Sequence, residues 1–234
     1  MESAVHPYHP LGIEIVGYLA NEYSVPRLLT LFAVGCAVIL GGTLGVMRRA
    51  HPTLAGTEQA AVLWFVLCGM IHFFFEGYFS WNHATMGSTQ HLFDQLWKEY
   101  AFSDSRYLTS DPFVLCMETV TAIAWGPLSF LLAWLITTSH PLRHPLQIIV
   151  SLGQIYGDIL YYATSMFDLY YKGLSYCRPE AYYFWVYYFT MNFIWIVIPS
   201  ILLYSSVTTT GRTFQALDKV SRSLHGNGSA KKTS

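Results

Sequence analysis

Charge is scarce in this sequence. Only 12% of its 234 residues are Asp, Glu, Lys or Arg, where about 25% is usual for a soluble domain. The net charge of −1 leaves no electrostatic basis for holding nucleic acid. Cysteine is sparse as well. Of the four cysteines, Cys36, Cys68 and Cys116 lie in apolar runs and Cys177 stands alone in a loop, a pattern that fits neither a disulfide framework nor a metal site. There is no glycine-rich phosphate loop, no serine or cysteine placed with a histidine and an acid as a nucleophile, and no internal repeat. The first 26 residues lack the basic-then-apolar order of a cleavable signal peptide.

Apolar and aromatic residues are plentiful, at 53% and 17% of the chain. They gather into five runs, at about residues 28–47, 60–81, 112–137, 146–167 and 181–204. Each is near the ~20 residues that cross a hydrocarbon core. Arg48, Arg49, His51 and Pro52 stop the first run, and Asp111-Pro112 opens the third as an N-cap followed by proline. Between the second and third, Leu92, Phe93, Leu96, Trp97 and Tyr100 recur at helical spacing beside Asp94, Lys98 and Glu99, which predicts a short helix at the interface. The expected fold is all-α and polytopic, a bundle of five transmembrane helices with one interfacial helix. Residues 1–27 form an N-terminal arm, 28–205 the membrane domain and 206–234 a polar, disordered tail.

An odd number of spans puts the termini on opposite sides. Eight of the 13 Lys and Arg residues fall on the C-terminal side, which predicts a cytoplasmic C-terminus. The final Lys231-Lys232-Thr233-Ser234 looks like a dilysine retrieval signal of the endoplasmic reticulum, which works only in the cytosol.

Four spans carry polar groups, and those groups share a level. At ~1.5 Å of rise per residue, His72 lies roughly 12 Å from the non-cytoplasmic end, Glu76 roughly 6 Å and Glu118 roughly 9 Å. Thr121, Asp158, Asn192 and Trp195 lie roughly 14 to 21 Å in by the same rise. His72 and Glu76 share one helical face, as do Gln154 with Asp158 and Glu118 with Thr121. Trp185, Tyr188, Asn192, Trp195 and Pro199 make one stripe. Asn192, Thr121 and Gln154 read equally well as helix-to-helix glue. Asp158 reads as structural, satisfied by Gln154 and nearby tyrosines, and Trp185 and Tyr182 read as interface anchors. Two carboxyls and an imidazole in one layer exceed what packing needs. With no third strong ligand at metal spacing, they point to acid–base work in an apolar pocket with a tryptophan wall. Such a pocket suits protonation of an apolar alkene.

Six segments then resemble a known family. They are Ile71-His72-Phe73-Phe74-Phe75-Glu76-Gly77, Leu96-Trp97-Lys98-Glu99-Tyr100, Asp104-Ser105-Arg106-Tyr107, Met117-Glu118-Thr119-Val120-Thr121 with Trp125-Gly126-Pro127, Gly153-Gln154-Ile155-Tyr156-Gly157-Asp158, and Met191-Asn192-Phe193-Ile194-Trp195. In order and spacing they resemble the emopamil-binding protein family (EXPERA), the sterol Δ8-Δ7 isomerases of the endoplasmic reticulum. The resemblance implies a homodimeric, cofactor-free, metal-free membrane enzyme that takes a sterol from the bilayer and binds lipophilic amines. It implies catalytic roles for His72, Glu76 and Glu118, with His72 and Glu118 on the proton-donating side and Glu76 as the partner acid/base. Trp195 would face the carbocation, and Asn192 and Thr121 would orient the acids. Tyr100, Asp104, Arg106 and Tyr107 are secondary substrate-binding candidates. Two other expectations stand beside this one: a non-catalytic sterol- or amine-binding or trafficking protein, and an isomerase of another polycyclic terpenoid. A proton-coupled transporter is a further class, which the absence of inverted repeats disfavours.

Overall fold

The computed structural model describes residues 6–230, and the regular structure among them is helical. Five long helices and one short one follow in order: α1 (Val25–Ala50), α2 (Gly56–Asn82), α3 (Leu92–Tyr100), α4 (Pro112–Thr137), α5 (Arg143–Lys172) and α6 (Tyr183–His225). Their ends follow local rules. The Asp111 carboxylate accepts from Phe113 N and Val114 N, each at 3.0 Å, and so caps α4 ahead of Pro112. Arg48 and Arg49 sit in the last turn of α1, where cations complement the carbonyl end. Gly173 closes α5 in the left-handed region at φ 67°.

Helices α1, α2, α4 and α6 are each long and apolar enough to cross a membrane. The fifth expected span, α5, does not meet that composition: Gln147, Ser151, Gln154 and Ser165 face inward along it and are buried. These residues lower its hydropathy because the seam faces other helices, mainly α6, while Ile149, Leu152, Ile159 and Phe167 point outward. Large apolar side chains are also bare on α1 (Val34, Val38), α4 (Ile123, Leu131, Trp134) and α6 (Val197, Ile201). Contiguous apolar cover of this kind is unfavourable against water and neutral against lipid. The protein is a multi-pass membrane protein.

Helix α3 forms where its periodicity places it, but its polar side does not lie open at an interface. Asp94, Gln95, Lys98 and Glu99 are all buried: the N-terminal arm covers Gln95 and Lys98, while Asp94 accepts from the Tyr78 hydroxyl at 2.7 Å and Glu99 from that of Tyr187. Lys98 Nζ donates to the carbonyls of Leu19 at 3.0 Å and Thr89 at 2.8 Å, and Lys98 O accepts from the Tyr8 hydroxyl at 2.9 Å. Gln95 Oε1 accepts from Tyr23 N at 2.8 Å. Burial holds the Lys98 ammonium below its ordinary pKa range, and the three acceptors around Nζ offset that cost. The arm has no motif of its own, yet its Tyr8 and Ile15 are core residues of this end of the molecule.

The polar stretch after residue 207, expected to be disordered, is helical through Ala230. It simply continues α6, since no proline follows Pro199 and Gln215, Ala216, Leu217 and Lys219 are good helix formers. Residues 211–225 of that extension are exposed. Lys231 and Lys232 lie outside the described residues.

Candidate functional site

Three of the spanning helices change pitch along their length, and two of those segments, in α2 and α4, pack against each other. Ile71–Glu76 of α2, Thr121–Trp125 of α4 and Tyr183–Met191 of α6 are π-helical, with i→i+5 bonds that rotate the side chains following them and that recur at functional sites. The α2 and α4 segments meet at glycine. A Cβ on Gly126 would lie 2.8 Å from Phe73 Cβ and 2.9 Å from Phe73 N, and one on Gly69 would lie 2.7 Å from the Phe130 ring. That approach brings His72 and Glu76 of α2 against Glu118 and Thr121 of α4. Gly153 does the same for α5, where a Cβ would run into the Trp125 ring.

Between these helices and α6 lies a cavity of about 390 Å³, within the ~300–1,000 Å³ usual for small-molecule sites. Its wall is mostly aliphatic and aromatic, from Leu29, Phe32, Leu40, Leu67, Phe75, Trp97 and Met117 among others. Eight of the ten residues expected at the site line it: His72, Glu76, Tyr100, Tyr107, Glu118, Thr121, Asn192 and Trp195.

Two backed carboxyls face this space. His72 Nδ1 lies 2.8 Å from Glu76 Oε2, so the i, i+4 pair survives the π turn. The other ring nitrogen of His72 is engaged too, 3.1 Å from Gln154 Nε2 of α5. Both ring nitrogens of His72 thus have partners, and the residue is buried at the cavity wall. The second carboxyl is Glu118, whose Oε1 accepts from the Tyr107 hydroxyl at 2.6 Å. Burial lifts the Tyr107 phenol well above its ordinary pKa range, and Glu118 adds to this, so the phenol is a donor and not a phenolate. Glu76 and Glu118 are near neighbours across the α2–α4 contact. Trp195 stands beside them, its ring 6.2 Å from that of His72 and 5.3 Å from that of Trp64.

Asn192 and Thr121 line the cavity without bonding to either acid. The Asn192 amide donates to Tyr188 O at 2.6 Å and to the Tyr100 hydroxyl at 2.9 Å. It thereby ties the end of the π segment to α3. Thr121 donates back to Met117 O in its own helix at 2.9 Å. Asp104 and Arg106 lie behind the wall. Arg106 Nη2 donates to Asp104 Oδ2 at 2.6 Å and its Nη1 to Thr164 Oγ1 at 2.9 Å, with both residues buried. This pair ties the loop before α4 to α5.

The structure departs from the sequence reading at several positions. Trp185 is 58% exposed, as an interface anchor would be and off the inner stripe that its spacing drew with Asn192 and Trp195, whereas Tyr187, two positions on, is buried and lines the cavity. The π ladder carries more residues per turn than the α spacing assumes, which rotates Trp185 outward. Tyr187 donates to Glu99 Oε1 at 3.3 Å, and burial pushes the Glu99 carboxyl up. Asp158 lines the cavity as well, and its buried Oδ2 has no partner among the described residues. Gln154 does not satisfy Asp158, because its amide is turned to His72.

Residues 92–206 match the family description EXPERA (EXPanded EBP superfamily). The chain is 38% identical over 215 residues to a 3-beta-hydroxysteroid-Delta(8),Delta(7)-isomerase of Cavia porcellus, covering 92% of this chain and 93% of the relative. It is 39% identical over 204 residues to the protein of that name in Rattus norvegicus, with 87% of each chain covered. An isomeliandiol synthase of Ailanthus altissima is 32% identical over 188 residues, covering 80% of this chain and 86% of the relative. With identity of this order running through nearly its whole length, the chain belongs to the EXPERA, or expanded EBP, superfamily.

Proposed function

We propose that this protein is a sterol Δ8-Δ7 isomerase, moving a ring double bond by protonation and deprotonation. The observation that carries this reading is the pair of backed carboxyls, Glu76 on His72 and Glu118 on Tyr107, at one wall of an otherwise apolar cavity. The protonated Glu118 adds its proton to C9 of the Δ8 alkene, leaving a carbocation at C8. Glu76, held by His72, then removes a proton from C7 and the Δ7 alkene forms. One proton enters and one leaves, so no oxidant or reductant is needed. The carbocation lies against the Trp195 face, where a desolvated cation–π contact is worth about 2 kcal/mol or more. Two carboxyls so close together favour holding a single proton between them, which suits one acid and one base.

A cavity that stabilises a cationic intermediate should also bind lipophilic amines, whose ammonium group resembles it. The sterol enters from the bilayer. The five long helices all cross the membrane, α5 included, as residues 28–205 of a domain flanked by an arm and a tail. The C-terminus lies in the cytoplasm, in keeping with the Lys and Arg distribution, and the enzyme works as a homodimer in the endoplasmic reticulum.

The test is to incubate purified protein in lipid with a Δ8 sterol and separate the products by gas chromatography with mass spectrometry. Conversion to the Δ7 sterol is expected. Tight binding with the substrate returned unchanged would instead indicate a binding or trafficking protein. The likeness to an isomeliandiol synthase makes a second polycyclic terpenoid alcohol the other substrate to assay in parallel.

A further inference from the structure

Resting on that reading, we propose that Gln154 is the positioning residue for His72: its amide selects the ring tautomer that supports Glu76 and follows the ring when its protonation changes. Gln154 reaches His72 from a different helix, α5, and is itself buried. The contact joins two nitrogens at 3.1 Å, Nε2 of the amide and Nε2 of the imidazole. An amide nitrogen always carries hydrogen and never accepts, so the ring Nε2 must be bare. In the neutral ring the hydrogen then sits on Nδ1, which points at Glu76 Oε2 at 2.8 Å. Gln154 therefore fixes which nitrogen donates, and the donation holds Glu76 in its proton-accepting form.

The other end of the amide shows what happens next. Gln154 Oε1 is buried with no partner among the described residues, a costly arrangement if it served packing alone. A half-turn of the amide exchanges oxygen for nitrogen with almost no change of shape. With its oxygen toward the ring the amide accepts from Nε2–H and leaves Nδ1 bare, so that a proton from Glu76 passes to Nδ1 and the resulting imidazolium keeps its Nε2–H on the amide oxygen. Glutamine carries both a donor and an acceptor on one planar group, so a single side chain serves either state of the ring. The charged and titratable groups around this ring are Glu76 on its own helix, Glu118 from α4 and Asp158 from α5. Tyr107 bonds to Glu118, and α6 contributes the neutral Trp195. Position is fixed from behind by Gly153, whose missing side chain lets α5 rest on Trp125.

The experiment is nitrogen-15 NMR of the full-length protein in lipid nanodiscs, labelled at histidine, with the His72 signals identified by their loss in His72→Asn. The parent is expected to show a bare Nε2 and a protonated Nδ1 in the neutral ring. In Gln154→Leu that signature should give way to the other tautomer or a mixture, with kcat falling on the order of tenfold or more and KM changing less than about twofold. In Gln154→Glu, which keeps the shape, the doubly protonated signature should persist to higher pH than in the parent, and the pH profile of kcat should move with it. An unchanged tautomer and unchanged titration in both variants would overturn the proposal. The NMR readout needs no turnover. A parent that shows the Gln154-dependent tautomer but no Δ8 conversion would sink the isomerase reading and leave this one standing.

Discussion

The Tyr107 hydroxyl reaches from the loop before α4 to donate a 2.6 Å hydrogen bond to Glu118 inside that helix. The loop thus has a direct hold on one of the two carboxyls. Tyr107 also stacks on Trp97 at 4.7 Å and packs edge-on against Phe79 at 5.0 Å. Tyr107→Phe keeps those ring contacts and removes only the hydroxyl. We expect kcat to fall about tenfold with little change in thermal stability, as measured by steady-state kinetics beside a melting curve in detergent. A hydrogen bond to a charged group is worth about 1.5–3 kcal/mol, which sets that scale. Equal activity in the phenylalanine variant would remove Tyr107 from the acid machinery.

Removing either acid, or the ring behind one of them, should cost more. Glu76→Gln, Glu118→Gln and His72→Ala are each expected to lower kcat about a hundredfold, the scale of a lost general acid or base. The product itself gives a second check. A Δ7 sterol formed in heavy water should carry deuterium at C9, read by mass spectrometry, because the donated proton exchanges with solvent between turnovers. A product without deuterium would indicate an internal hydride shift.

Much of this site was legible from residue spacing, because an imidazole and carboxylates inside apolar helices have few places to go. His72 with Glu76, and Glu118 at their level, follow from helical rise alone, and the capping aspartate Asp111 follows from its proline. The missed residues share a physical cause. Tyr187 falls off the α-spaced stripe yet lines the cavity, because the π segment of α6 departs from the 3.6-residue period, and local sequence does not announce an i→i+5 ladder. Gln154 reads as glue because an amide makes the same hydrogen bonds in either role. Only the facing helix shows that its partner is His72. The burial of α3 depends on an arm some 70 or more residues distant in the chain, a contact that periodicity cannot register.

Gly126 is expected to tolerate no side chain. A Cβ there meets Phe73 at its Cβ, N and Cα within 3.0 Å, and backbone atoms cannot rotate aside. Gly126→Val should force α2 and α4 apart where His72, Glu76 and Glu118 converge, with a loss of about 1–3 kcal/mol from overpacking. A lower melting temperature together with weaker sterol binding would show it. Gly157, which has nothing within 4 Å of a built Cβ, is the control, and Gly157→Ala should melt no lower than the parent.

We expect the Asp104–Arg106 pair to act as a cross-tie and not as a substrate contact, and a double-mutant cycle separates those roles. Arg106 binds Asp104 through Nε and Nη2, reaches Thr164 through Nη1, and lies over the Tyr161 ring at 4.9 Å. Neither residue lines the cavity. Arg106→Met leaves Asp104 buried without its cation, which should cost about 3–5 kcal/mol. Asp104→Asn similarly strands the guanidinium. When both are replaced the stranded charge disappears, so the double variant is expected to recover part of the loss, giving a coupling of roughly 1–3 kcal/mol between the two sites. Thermal melts of the four proteins provide the cycle, and kcat normalised to folded protein provides the other half of the test. Stability that falls and recovers with kcat per folded molecule held near the parent value identifies a tie between the loop and α5. A kcat that stays low in the double variant would return Asp104 and Arg106 to the substrate site.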